Sequence, residues 1–484
     1  MYASSERGPS QICPWLVKQG FFHGYLARED LPTLLRRHED YLVRYSEGGK
    51  LKKPRDILVS VLYDPENKVK RTDREAMMEA QICHWLVKQG FFHGYLARED
   101  LPTLLRRHED FLVRYSEGGK LKKPRDILVS VLYDPENKVK RTDREAMMEA
   151  IQNVTMQSSV DGEQTFFFLD VKAKFPSVEE LFKHHAENPI SLNKIEFTLR
   201  NAVCLAKWEY TPQSIQIGKL LGIGSFGETR KGKLTTKDGP VIDVTIRMTK
   251  GRSEMSRQQI RELVRQARLL RYLNHPNVLR FHGVSLLELP ILVFIETISG
   301  GPLDAYLLEK KATIDLNERL RMMVCAGCGI DYLHLKEVLL RDIAAKNCTY
   351  TTNKVLKISE FALSRRGSFY TMKPTKKGSS KVEAFVKWMA PESIRTFSFS
   401  RKSDAYSFGV LIYEIFACRE PYAEIPTSRA KEAIMAGDFN QFPQNTPYLI
   451  VEYVKDKLWN VDPDKRATAG DAAKWLERFA SGWV

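Results

Sequence analysis

Residues 341–347, RDIAAKN, and 357–364, KISEFALS, decide the reading of this chain. The first holds a carboxylate, Asp342, and an amide, Asn347; the second holds another carboxylate, Glu360. Outward from this pair lie GIGSFGE at 222–228, KWMAPE at 387–392, SDAYSFGV at 403–410 and DPDKRAT at 462–468. A glycine triplet alone says little. Here Gly222, Gly224 and Gly227 fall between strand-like segments rather than before a long helix, which argues against a dinucleotide fingerprint. Phosphoryl transfer from ATP needs a glycine loop over the phosphates, a cation beside them, a carboxylate holding Mg²⁺ and a base near the acceptor hydroxyl. The ordered motifs offer residues for each of these tasks.

The stretch 215–480 resembles the protein kinase fold, and the tyrosine kinases in particular, because DIAAKN is similar to their DLAARN loop and KWMAPE carries their Trp388. The resemblance implies ATP and Mg²⁺ as cofactors. It implies Asp342 as catalytic base, Arg341 before it and Asn347 as a metal ligand, with Gly222, Gly224, Gly227, Arg247, Glu296 and Glu360 around ATP. Glu360 would join Asn347 on Mg²⁺, Glu392 and Arg466 would form a buried brace, and Tyr370 in RRGSFYTMKP would be an activation-loop phosphosite.

Several positions depart from the family pattern. VTIR aligns with VAIK, so Arg247 replaces the phosphate-binding lysine; RQARLL aligns with QEAKIL, so Gln266 replaces its glutamate partner. SEFA aligns with SDFG, which gives Glu360 and Ala362 for aspartate and glycine. Leu340, Thr229 and Phe385 also depart, as His, Val and Pro positions respectively. The planar head of Arg247 does not sit where an ammonium would. The extra methylene of Glu360 displaces its carboxylate by about 1 Å, against the near-ideal octahedron that Mg²⁺ demands. Arg247 and Glu360 are expected to face one another across the nucleotide cleft and to pair directly.

Upstream, FLVRYS at 111–116 is a strand pattern that puts Arg114 and Ser116 on one side. A guanidinium on a rigid strand recognises a phosphate dianion bidentately. FFHGYLARED at 91–100 adds Arg98 at a helix start. Residues 83–203 resemble the Src-homology-2 (SH2) domain, through FLVRYS, FFHG and FPSVEELFKHH. That resemblance implies a phosphotyrosine pocket built from Arg98, Arg114 and Ser116. Two departures are Phe91 for Trp and the absence of His from IQNVTMQSS. Together the modules are similar to the Fer/Fes group of cytoplasmic tyrosine kinases.

Residues 11–80 repeat as 81–150, differing only as Pro14/His84 and Tyr41/Phe111. A duplication within the gene and an error in the coding sequence both fit. Only the second copy continues into TFFFLDV and SVEELFKHHAEN. The first copy, with Arg28, Arg44 and Ser46, therefore lacks the remaining core elements, and a lone two-stranded unit is marginal in water.

The 484 residues are 43% hydrophobic and 28% charged, a globular composition, and 75 basic against 60 acidic residues give a net charge of +15. That excess attracts anions, and phosphoproteins are the expected partners, not nucleic acid, since the longest basic cluster is KLKKPR. Seven scattered cysteines make no disulfide framework, and the CxxC of Cys325 and Cys328 sits in a helix-like run. No apolar run is long enough to span a bilayer, and MYASSERGPS is neither a leader nor a myristoylation signal. A cytoplasmic location is expected, with recruitment to membrane-associated phosphoproteins.

The sequence thus predicts an α+β multidomain chain: a tail (1–10), a partial duplicate (11–80), an SH2 domain (83–203), a linker (204–214) and a bilobal kinase fold (215–480). Two functions remain open. One is a phosphotyrosine-binding protein whose kinase domain is weak or inactive and acts as scaffold or allosteric partner. The other is an active ATP-dependent non-receptor tyrosine kinase that phosphorylates protein substrates.

Overall fold

The computed structural model describes residues 85–116, 126–162, 164–224, 227–249, 257–287, 290–372 and 385–482, and the backbone of 41–45 and 57–61. The chain divides into two compact units, 1–89 with 159–167 and 174–183, and 90–158 with 168–173 and 184–484. In the first unit β1 (Tyr41–Tyr45) and β2 (Ile57–Val61) pair antiparallel, with Tyr41 opposite Val61. Arg44 falls in β1, opposite Leu58, and the other residues expected to matter in the first copy, Arg28 and Ser46, lie outside the described residues. Trp85 stacks on Phe182 in the same unit, with ring centroids 5.7 Å apart.

The second unit begins at Gly90, and the helix expected to start at Arg98 is brief. It forms a 3-10 turn, Arg98–Asp100, and one short helix, α1 (Leu101–Leu104). The Asp110 carboxylate accepts from the main-chain N–H groups of Arg106 and Arg107, both at 2.7 Å. A side chain that satisfies main-chain donors this way competes with the helical ladder and turns the chain.

Strands β3 (Asp110–Tyr115) and β4 (Ile127–Leu132) then pair with Phe111 opposite Val131, the register that β1 and β2 show at the equivalent positions. Helix α2 (Arg144–Ala150), capped by the Asp143 side chain, leads into β5 (Ile151–Thr155). With β6 (Asn201–Ala202) these strands form a sheet ordered β6-β3-β4-β5.

The downstream part begins with a five-stranded sheet. Its strands are β7 (Ile215–Gly224), β8 (Gly227–Thr235), β9 (Val241–Thr249), β10 (Phe281–Ser285) and β11 (Leu292–Glu296), ordered β7-β8-β9-β11-β10. Helix α3 (Arg257–Leu270) follows β9. It buries Ile260, Leu263, Val264, Ala267 and Leu270, the positions whose spacing marks it as amphipathic.

A helical body completes the unit around α4 (Leu316–Leu335), α5 (Arg401–Ala417) and α6 (Ala469–Ala480). Helix α5 is buried from Ser403 to Ala417, which is why SDAYSFGV lacks a polar face. A Cβ on Gly327 of α4 would stand 2.8 Å from that of Ala473 on α6, so the helices approach closely there. No described helix is long and apolar enough to cross a membrane.

The sheet around β3 and the body around α3 share one core. Leu96, Leu101, Leu105 and Met147 belong to the same continuous apolar cluster as Leu263, Leu270 and Leu273. Polar contacts close the joint. The main-chain N–H of Tyr95 donates to the Leu286 carbonyl at 2.9 Å, and Asp100 receives Arg268 at 2.9 Å and Arg271 at 3.1 Å. Gly94 lies beside this bond at φ +54°, where an added Cβ would meet the Leu286 oxygen at 2.1 Å.

Buried His93 contacts the Glu209 carboxylate at 2.9 Å and the Val203 carbonyl at 2.9 Å. Burial alone would lower its pKa, as would Lys237, but the charge and hydrogen bond of Glu209 outweigh both, and the value is raised above 6.5. A raised folded-state value means that the imidazolium stabilises the joint fully below pH 6.5 and that this contribution is lost as pH rises through the folded pKa. Wild type should therefore lose thermal stability relative to His93→Gln as pH climbs from 6 to 9. A difference between the two proteins that stays constant over that range would refute the assignment.

Candidate nucleotide cleft and anion pocket

The cleft is built by β7, β8 and β9 above and by the loop after β12 (Val338–Leu339) below. Gly222 and Gly224 end β7 and Gly227 begins β8, with Gly222 opposite Thr229 and Gly224 opposite Gly227. A Cβ on Gly222 would meet nothing within 4 Å, so this edge leaves its backbone open to a ligand. Arg247 sits in mid-β9, opposite Thr229 on one side and Val293 on the other. Glu296 ends β11, but its carboxylate accepts from Lys357 at 3.0 Å and from the Arg280 N–H at 2.7 Å. A nucleotide would meet its main chain rather than its charge.

Asp342 and Asn347 lie in the loop after β12, where the Asn347 side-chain amide donates to the Asp342 carbonyl at 2.9 Å. Asp342 Oδ1 is buried without a hydrogen-bond partner. Burial first, and the charge of Glu360 after it, raise the Asp342 pKa against the opposing pull of Lys346, Asn347 and Arg341. Beneath the loop, buried Asp404 of α5 accepts from His334 at 3.0 Å and from the N–H groups of Leu340 and Arg341 at 2.9 Å each. The carboxylate thereby fixes the loop's backbone, with Arg341 at φ 70°.

The Arg341 guanidinium lies between the rings of Tyr370 and Phe399, at 4.3 and 4.4 Å, and donates to the Leu363 carbonyl at 2.9 Å. Its pKa is pushed down to about 10, by burial first and by Arg365 next. Tyr370 itself is half-buried in β13 (Phe369–Thr371), paired with the strand Ser398–Ser400. Glu392 and Arg466 form the expected brace, bidentate at 2.7 and 2.8 Å.

The direct pair between Arg247 and Glu360 does not form. Among the described residues, Arg247 donates only to the Ser359 carbonyl, at 3.4 Å. Glu360 instead turns back on its own chain, with Oε1 accepting from the N–H groups of Phe361 and Ala362 at 2.9 Å each. Those donors lie within two residues, so the carboxylate meets them before it can span the cleft. Gln266 is buried with its Nε2 lacking any partner. Its helix reaches the following segment through Arg265, which the sequence reading missed. Arg265 pairs with Glu262 and donates to the Ala362 carbonyl at 2.7 Å.

The other site lies on the β6-β3-β4-β5 sheet. Arg114 of β3 is buried, and its Nε donates to Ser130 Oγ of β4 at 3.1 Å while Nη2 donates to Asn153 Oδ1 of β5 at 3.2 Å. Ser130 also donates to Asn153, at 2.7 Å. Ser116 follows β3, buried, its N–H bonded to the Asp126 carbonyl at 2.7 Å. Arg98 begins the 3-10 turn and is exposed. Ser130 and Asn153 were not singled out in the sequence, although a lone serine inside the apolar ILVSVL is a signal.

A glycine-edged antiparallel sheet over a mainly helical body, with a buried aspartate–asparagine loop at their junction, is the arrangement of a protein kinase. The family model for protein tyrosine and serine/threonine kinases matches residues 215–476. The chain is 30% identical to the transforming tyrosine kinase Fps of avian sarcoma virus (strain PRCII), over 80% of this chain and 66% of that one. It is 32% identical to spermatocyte protein spe-8 of Caenorhabditis briggsae, over 76% and 64%. Identity to human tyrosine-protein kinase Fer is 28%, over 90% and 48%. The chain belongs to the protein tyrosine and serine/threonine kinase family, and its kinase domain is of the Fps/Fer type. It spans less than two thirds of the length of these three relatives.

Active members of this family use ATP and Mg²⁺. The residues here fit Mg²⁺ poorly. Glu360 commits Oε1 to two main-chain donors, the N–H groups of Phe361 and Ala362. Arg247 likewise spends a donor on a carbonyl instead of facing a carboxylate.

Proposed function

We propose that this chain docks on tyrosine-phosphorylated proteins through an SH2-type module at 83–203, and that its kinase domain at 215–480 transfers phosphate weakly or not at all. On this reading the kinase domain acts as scaffold or allosteric partner, in the cytoplasm. What supports the docking half is the buried Arg114 guanidinium on its floor of Ser130 and Asn153. The observation that carries the catalytic half is that Arg247 and Glu360, the two charged groups expected on the ATP phosphates and Mg²⁺, are both turned to main chain. The second reading, an active tyrosine kinase, is favoured by Asp342, whose Oδ1 is open to a hydrogen-bond partner.

Thermal unfolding of the whole chain with and without Mg²⁺ and ATP separates them. A ligand that binds only the native state at 100 times Kd adds about 2.7 kcal/mol, a readable shift. No shift is expected at millimolar nucleotide. The triple reversion Arg247→Lys, Gln266→Glu and Glu360→Asp should restore one. A Mg²⁺-dependent shift in the wild type, together with phosphate transfer to a tyrosine copolymer, would establish the active kinase instead.

A further inference from the structure

Six arginines converge on one cavity of about 430 Å³: Arg144 of α2, Arg265, Arg268 and Arg271 on or just after α3, and Arg365 and Arg366 of the strand Arg365–Arg366. Three separate elements therefore bring guanidinium groups to the same place. Among the described residues three carboxylates meet them: Asp100 on Arg268 and Arg271, Glu99 on Arg268, and Glu262 on Arg265.

Six guanidinium groups against three carboxylates leave an excess of positive charge. Arg271 is buried between the rings of Trp208 and Tyr272, at 4.3 and 4.6 Å. Its Nη2 reaches Asp100, while its buried Nε and Nη1 have no hydrogen-bond partner. The Arg366 side chain forms no ion pair or hydrogen bond with the described residues and approaches the Tyr272 ring at 5.9 Å. Its pKa is lowered, by partial burial first and then by Arg144, Arg271 and Arg268, a group of cations held together against their repulsion.

We infer that this cavity binds a compact polyphosphate, several phosphomonoesters on a small ring, as in an inositol polyphosphate or the headgroup of a phosphoinositide. Guanidinium groups recognise phosphate through paired N–H donors, and one phosphate would use only one or two of the six. Nucleotides fit less well, because Arg271 and Arg366 already lie over the Tyr272 ring that a base would stack on. The bound anion would tie α2, α3 and the segment after Glu360 to one another. This inference does not depend on whether Arg114 binds phosphotyrosine or the cleft binds ATP.

Calorimetric titration of the whole chain with inositol hexakisphosphate tests it, with phosphotyrosine present in excess to occupy the Arg114 pocket. One saturable site is expected, weakened about tenfold by Arg144→Gln or Arg366→Gln and about a hundredfold by both, as for separate charge-assisted contacts. Binding should also fall as salt rises. Arg429→Gln, an exposed arginine paired with Glu432 outside the cavity lining, should change nothing. Arg366→Gln should not lower the unfolding temperature of the ligand-free protein, since it removes repulsion and no side-chain bond among the described residues, whereas Arg144→Gln also gives up the bond from Arg144 to the Glu99 carbonyl. Vesicles containing phosphatidylinositol trisphosphate form the second arm: retention there without soluble binding assigns the headgroup, and soluble binding assigns the free compound. Binding that survives the double variant, is displaced by phosphotyrosine, or is lost equally in Arg429→Gln overturns the site, as does no binding in either arm.

Discussion

Replacing Arg114 by lysine is expected to reduce affinity for a phosphotyrosine peptide by about a hundredfold or more. Hydrogen bonds to charged groups contribute about 1.5–3 kcal/mol each, and a bidentate guanidinium–phosphate contact has two. Lysine keeps the charge but not the fork. The rest of the site favours this outcome, because Ser130 and Asn153 hold the guanidinium from below and an ammonium cannot meet both and a phosphate in one plane. Fluorescence anisotropy with a labelled phosphopeptide reads the effect. An affinity within threefold of wild type would show that phosphate is not bound at Arg114. Asn153→Ala should cost less, about tenfold, because it loosens the guanidinium without removing it.

Arg466→Met should destabilise the helical body by about 3–5 kcal/mol, the range for breaking a buried ion pair. The Arg466 side chain is 0% exposed, and it donates to Asn460 and Lys402 carbonyls as well as to Glu392. Methionine leaves those acceptors and a carboxylate without their partner. At 2–4 °C per kcal/mol, the unfolding midpoint should fall by on the order of 10 °C. A fall of less than 2 °C would mean that the pair is solvated in solution. Restoring charge with Arg466→Lys should recover only part of the loss, because one ammonium cannot match both Glu392 oxygens.

What could be read in the sequence follows how local each feature is. Asp342 and Asn347 meet because they share a loop, and helix α3 is marked by the spacing of its buried residues. The Glu392–Arg466 brace was legible only through the family resemblance, since the pair is distant in sequence. Ser130 and Asn153 were hidden because their position under Arg114 depends on the pairing of three strands, which no single strand states. The expected bond between Arg247 and Glu360 failed for a related reason. Alignment places two side chains at the rims of a cleft, but the nearest donors decide where a carboxylate turns, and for Glu360 those are its own next two N–H groups. The arginine cavity combines both cases. Arg265, Arg268 and Arg271 recur at three-residue intervals along the end of α3 and the residue after it, while Arg144, Arg365 and Arg366 reach the cavity only through the fold.

Gly94 carries a consequence beyond its own backbone angle. Because its missing side chain lets the main chain lie directly on Leu286, the bond from Tyr95 acts as a weld between the upstream sheet and the β10 edge. A weld passes displacement without slack. Pulling on a peptide held at Arg114 would be felt at β10 as leverage, and a methyl group at residue 94 would turn the same connection into a loose pin.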